Sequence, residues 1–204
     1  KDIGPYCNQG YKDQIPRDGK GGWFDMGAAT DLSSFKYKNR KYQGIKFTFV
    51  DPAANNGKSC IIMNGKAGES VPLKTAPIAI GYKVDYIAFN HASAWAKQGQ
   101  TVGVYIIEYI DGKRIEVPVI EGENVLDWYN DPSELQAATP FWIGNLAERN
   151  NHKVATYAYI WKNPNPKLPV KSIIIYAGNA GKVNTAGLDA HGMLGVLGIS
   201  TIKF

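Results

Sequence analysis

Between Val84 and Trp128 the apolar and polar positions predict two neighbouring strands closed by a tight turn. VGVYIIEYI and KRIEVPVI flank Asp111-Gly112, and Asp-Gly supplies the positive φ angles of a two-residue type I′ hairpin. Folding on that turn pairs Ile110 with Lys113, Tyr109 with Arg114 and Glu108 with Ile115. One face then carries Val104, Ile106, Ile115, Val117 and Val119 as a core layer. The other carries Tyr105, Ile107 and Tyr109 beside Arg114 and Glu116. Pro118 has no N–H to give to a ladder, so the second strand is expected at a sheet edge or bulged there.

Elsewhere the period of two recurs. Ile45, Phe47 and Phe49 alternate with Lys46 and Thr48, and Tyr157, Tyr159 and Trp161 alternate with Thr156, Ala158 and Ile160. Cys60–Met63, Ser172–Ala177 and Met193–Lys203 read as further strands. Residues 139–153 (TPFWIGNLAERNNHK) read as a polar loop, and Ser133 is placed to cap a short turn of helix through Ala138. Helical periodicity is nearly absent, and turn signals separate the strands. That pattern predicts an all-β fold, an antiparallel β-sandwich with long loops and little helix. Residues 1–204 form one expected domain, with the turn-rich segment 1–22 packed over its body.

The chain has 204 residues, 44% hydrophobic and 20% charged, enough for one large core and too apolar for disorder. No run of 18 apolar residues exists, so no membrane span is expected. The chain opens on Lys1-Asp2 without a basic-then-apolar leader, as a processed secreted protein or a fragment of a longer one would. Formal charge is +5. The excess lies between Phe35 and Phe49, where Lys36, Lys38, Arg40, Lys41 and Lys46 meet no acid. Tyr37 and Tyr42 interleave with them, but no nucleic-acid motif accompanies the run, and lysines that blunt an exposed strand edge explain it as well. Cys7 and Cys60 allow a single bridge or two separate buried thiols.

Candidate chemistry is sparse. No nucleophile elbow, phosphate loop or dinucleotide fingerprint is present, and Ser93 beside His91 lacks a third member. Glu108, Glu116, Glu121, Glu123, Asp127, Asp131 and Glu134 cluster in the middle of the chain, and a glycosidase would need two of them. Asp25, Asp31 and Asp51 are candidate ligands for a structural calcium, without the spacing of an EF-hand; no other cofactor is implied. Tryptophans near polar residues carry the stronger signal, because sugar C–H faces stack on indoles while hydroxyls take planar polar partners. Trp142 and Trp128 are the expected stacking residues. Arg149, Asn145, Asp127 and His91 are the expected polar contacts, and Trp23, Trp95 and Trp161 are expected in the core.

Several segments together resemble a known family. They are Asp18-Gly19-Lys20-Gly21-Gly22-Trp23 with Asp25 and Gly27, Gly44-Ile45-Lys46-Phe47, Asp51-Pro52 with Asn55-Asn56-Gly57-Lys58-Ser59-Cys60, and His91-Ala92-Ser93-Ala94-Trp95. Tyr109-Ile110-Asp111-Gly112, Gly122-Glu123-Asn124-Val125 with Asp127-Trp128, and Trp161 with Asn163-Pro164 and Pro166 complete the set. In this order they resemble secreted bacterial galactose-binding-like jelly rolls of the NPCBM type, carbohydrate-binding modules associated with glycoside hydrolases. The resemblance implies a jelly-roll sandwich that is secreted, periplasmic or at the cell surface. Its implied partners are a poly- or oligosaccharide and a catalytic glycosidase domain in the same polypeptide or complex, not nucleic acid. It implies binding without catalysis; a β-sandwich glycosidase or polysaccharide lyase, or a structural packing domain, is the alternative. Asn90, Phe24 and Met26 depart from the pattern, and the last two mark a domain interface in the packing alternative.

Overall fold

The computed structural model describes residues 1–38, 40–64, 71–130, 132, 139–178 and 192–204. The turn expected from Ser133 to Ala138 and the loop ahead of Met193 lie outside them. The fold is all-β, with antiparallel sheets in a sandwich and no helix of seven residues or more among the described residues. The strands are β1 (Arg40–Tyr42), β2 (Ile45–Phe47), β3 (Ile61–Asn64), β4 (Ile78–Lys83), β5 (Tyr86–Ala94) and β6 (Thr101–Tyr109). They continue as β7 (Arg114–Ile120), β8 (Thr139–Leu146), β9 (His152–Lys162), β10 (Pro169–Ala177) and β11 (Met193–Ile202).

One sheet has the order β4-β10-β6-β7 and the facing one β3-β11-β5-β9-β8, while β1 and β2 form a separate two-stranded arm. Between the large sheets lies a core built from Ile87, Phe89, Tyr105, Ile107, Val117, Ile173 and Val196, among others. Phe89 and Tyr105 stack across it at 3.9 Å. A second core covers the other face of the five-stranded sheet, where Tyr11, Trp23, Phe24, Leu32, Phe35, Phe47 and Phe49 pack on Ala88, Ala92 and Leu197. Glycines on β11 permit this. A Cβ at Gly195 would fall 2.8 Å from the Phe24 ring, and one at Gly198 would fall 3.0 Å from Phe49.

Pro118 does sit on an edge strand, β7. The register of its hairpin differs from the sequence reading by one residue: Glu108 faces Arg114 and Ile107 faces Ile115. Asp111 keeps a negative φ and only Gly112 is left-handed, at 84°. Gly112 N–H donates to Tyr109 O (3.0 Å) and Tyr109 N–H to Lys113 O (2.8 Å). The connection is therefore a three-residue loop rather than a type I′ turn. A one-residue slip exchanges faces, so Tyr105, Ile107 and Tyr109 enter the core beside Val117 and Val119. The type I′ geometry occurs instead at Gln43-Gly44, with φ of 47° and 82°, where Tyr42 pairs with Ile45.

Residues 139–153 are not a loop. They form β8, a 3-10 turn at Ala147–Arg149 and the start of β9. Phe24 is buried and Met26 packs against the second core, so neither supplies the exposed patch that a packing domain was expected to show. Asn90 is buried too, and its amide donates to Thr156 Oγ1 at 3.2 Å. Cys7 and Cys60 are free, buried thiols in different cores.

Candidate functional site

Several connections meet at one end of the five-stranded sheet. β5 ends at Ala94 opposite the start of β11, the 121–130 segment docks beside it, and the β8–β9 turn closes alongside. Strands β5 and β9 pair from Tyr86↔Lys162 to His91↔Tyr157. Beyond that point the backbone of Trp128 stands between them: its N–H donates to Ser93 O and its carbonyl accepts from Ala155 N–H, both at 2.9 Å.

This wedge accounts for Trp128. It is 1% exposed, with its ring edge-on to Trp23 at 5.7 Å. Trp142, on β8, is also buried; Phe35 meets its ring at 5.3 Å, and Gly144 lies so close that a Cβ there would fall 2.2 Å from the indole. Neither tryptophan presents a face to a ligand, so both expected stacking residues are corrected to core residues. Their polar neighbours in sequence suggested loops, but strand alternation in β8 and the wedge at β5–β9 turn the rings inward.

His91 is fully buried. Its Nδ1 lies 2.7 Å from Tyr105 Oη and its Nε2 2.9 Å from the Asn124 carbonyl. The carbonyl only accepts, so Nε2 carries the proton and Nδ1 accepts from the tyrosine. Burial pushes the imidazole down to about 4. Both ring nitrogens are engaged, which removes His91 as a sugar contact.

Asp127 has a different task from the one expected. Oδ2 accepts from Trp95 N–H at 2.7 Å, and Oδ1 accepts from Tyr129 N–H at 3.0 Å. One carboxylate thus holds the backbones of two aromatic residues. Desolvation raises its pKa, opposed by these two bonds. Asp127 is itself held by Glu121, whose Oε1 accepts Asp127 N–H at 2.8 Å while Oε2 accepts from Ser93 Oγ. Glu121 is 2% exposed, and desolvation pushes its carboxyl up to about 7. A carboxyl so enclosed, with both oxygens engaged, holds a loop and does not reach a substrate.

The exposed tryptophan is Trp95, which sequence reasoning put in the core. It is 45% exposed and left-handed at φ 57°. A bulky residue adopts that conformation at an energetic cost that its surroundings must offset, and the Asp127 bond does so. Phe24 supports the ring edge-on at 6.2 Å. Nearby, Tyr129 and His152 stack at 4.1 Å, with His152 Nε2–H donating to Tyr129 O at 2.6 Å. Both are half-buried. Asn145 and Arg149 are exposed at the β8–β9 turn, and Asn145 lines a small cavity of about 180 Å³ with Ser33, Ser34 and Glu148. The signal available for Trp95 was its place at a strand end, one residue ahead of the polar Lys97-Gln98-Gly99-Gln100.

The candidate calcium ligands are not gathered. Asp31 accepts from the N–H groups of Asp13 and Ser33, Asp51 from Ala53 N–H and Tyr37 Oη, and Asp25 from Gly19 N–H. Among the described residues, no group of three or more His, Cys, Asp or Glu could hold a metal, and no helix is long and apolar enough to cross a membrane. No family model, curated protein or solved structure matches the chain.

Proposed function

We propose that the protein is a non-catalytic carbohydrate-binding module that brings a glycoside-active enzyme to a polysaccharide. The observation that carries this reading is the exposed indole of Trp95, held in a left-handed conformation by the Asp127 carboxylate. A rigid ring offers a sugar its face with little ordering left to do on binding. Tyr129, whose backbone the same carboxylate holds, and its stacking partner His152 are further half-buried rings at this end. Asn145 near the end of β8, and Arg149 and Asn150 in the β8–β9 turn, are exposed side chains that match hydroxyl recognition. Asp127 acts as a positioning residue here. Glu121 and His91 are buried, with both carboxyl oxygens and both ring nitrogens hydrogen-bonded within the protein, which supports binding over catalysis.

A single platform of this kind binds at about −4 to −6 kcal/mol, and attachment to a larger enzyme raises the effective affinity. Titration calorimetry across neutral and acidic oligo- and polysaccharides tests the reading. Trp95→Ala should weaken the best ligand at least roughly tenfold, the order of a lost ring contact, while the thermal midpoint stays within a few degrees. A folded Trp95→Ala protein with unchanged affinity, or a wild type that holds no glycan, rejects it.

A further inference from the structure

The five cations between Phe35 and Phe49 account for the whole net charge: removing them from the 23 Lys and Arg leaves 18 against 18 Asp and Glu. The structure folds this stretch into the β1–β2 arm and a furrow beside it of about 290 Å³, lined by Tyr37, Lys38, Lys46, Phe47, Phe49 and Asp51, with Thr48. Lys41 and Lys46 are directly opposed across the arm, and like charges in that position repel. Among the described residues no ion pair engages Lys36, Lys38, Lys41 or Lys46. The one acid in the furrow, Asp51, accepts from Tyr37 Oη and Ala53 N–H.

The furrow is firmly held. Ser200 Oγ donates to Lys46 O at 2.6 Å, and the Phe47 and Phe49 rings stack at 5.9 Å beneath it. In the arm alongside, Tyr42 stacks on Phe141 at 5.8 Å and the Arg40 guanidinium lies over the Phe35 ring at 5.8 Å. Phe47 and Phe49 are buried beneath the furrow, so Tyr37 offers its one half-exposed ring. The exposed Lys38 and Lys46 set ammonium groups at its rim, a pairing that suits a charged sugar. We propose that this furrow binds the sulfate or carboxylate groups of an acidic polysaccharide, as a second contact separate from Trp95; the inference rests on the glycan-binding reading above. Tyr37 is the only partly exposed ring lining it, which disfavours single-stranded nucleic acid, whose successive bases need several platforms.

The test is affinity electrophoresis of the full chain in gels containing heparin, polygalacturonate, a neutral galactan or no polymer, with oligo-dT as a competing polyanion. The variants are Lys38→Gln/Lys46→Gln and, as a control for net charge, Lys153→Gln/Lys162→Gln on β9. Retardation by at least one acidic polymer should exceed that by galactan and fall as salt rises from about 0.05 to about 0.5 M. It should weaken about tenfold in the furrow variant and much less in the control. Heparin against polygalacturonate distinguishes sulfate from carboxylate. Equal losses in the two variants, preference for oligo-dT, or galactan held as well as the acidic polymers overturns the inference; in the last case the module reading stands. Absence of retardation by every polysaccharide removes both.

Discussion

His91 bonds to the 121–127 segment at Asn124 and Glu121 bonds within it at Asp127, and burial moves their pKa values in opposite directions. His91 is depressed to about 4 from 6.5, so its contribution to stability is complete above the unfolded value and is lost as pH falls toward 4. Glu121 is raised to about 7 from 4.5. Its contribution is complete below 4.5 and is lost as pH rises through 7. Between those unfolded values the two slopes oppose each other. Gln mimics the protonated acid, accepting from Asp127 N–H and donating to Ser93 Oγ. Glu121→Gln should therefore match wild type near pH 4 and exceed it by up to ~3 kcal/mol at pH 8. Urea unfolding across pH measures this, and a gap independent of pH contradicts it. The thiols supply a second residue-scale prediction. Burial, with Asp2 adding to it, pushes Cys7 up to about 12, and burial raises Cys60 well above its ordinary value. Both should resist iodoacetamide at pH 8 in the native state and react once the chain is unfolded; rapid native labelling of either contradicts the burial.

At the scale of elements, alternation marked the strands and turn chemistry misled the register. Ile45, Phe47 and Phe49 were legible because one face of their segment is wet and the other dry. The β6–β7 hairpin was legible as a hairpin, yet both of its faces are apolar enough for either register, and the choice fell to one backbone angle at Asp111. Trp128 and Trp142 were misplaced for a related reason. Local polarity cannot reveal a peptide wedged between β5 and β9, or a glycine set beneath an indole. Asp127 and Trp95 lie 32 residues apart, so their bond was beyond any local pattern. The Trp142–Gly144 contact is testable. Gly144→Ala places a methyl into the ring and should destabilise the fold by about 1–3 kcal/mol, read as a lowered denaturation midpoint. A neutral result would mean that β8 shifts freely.

The whole molecule is a two-sheet sandwich with a second aromatic core laid over its five-stranded sheet. Two of its surfaces carry the proposed contacts: the Trp95 end, where strand connections meet, and the basic arm of β1 and β2. The arm is the more legible in sequence, since charge is read directly; the platform depends on which of five tryptophans escapes burial. That question has a direct measurement. In a ¹H–¹⁵N spectrum each tryptophan contributes one indole N–H signal, assignable by single Trp→Phe variants. Titrating in the best polysaccharide ligand should shift the Trp95 signal first and furthest, while those of the buried Trp23, Trp128 and Trp142 stay in place. Saturable movement of a buried indole with Trp95 unmoved would contradict the account.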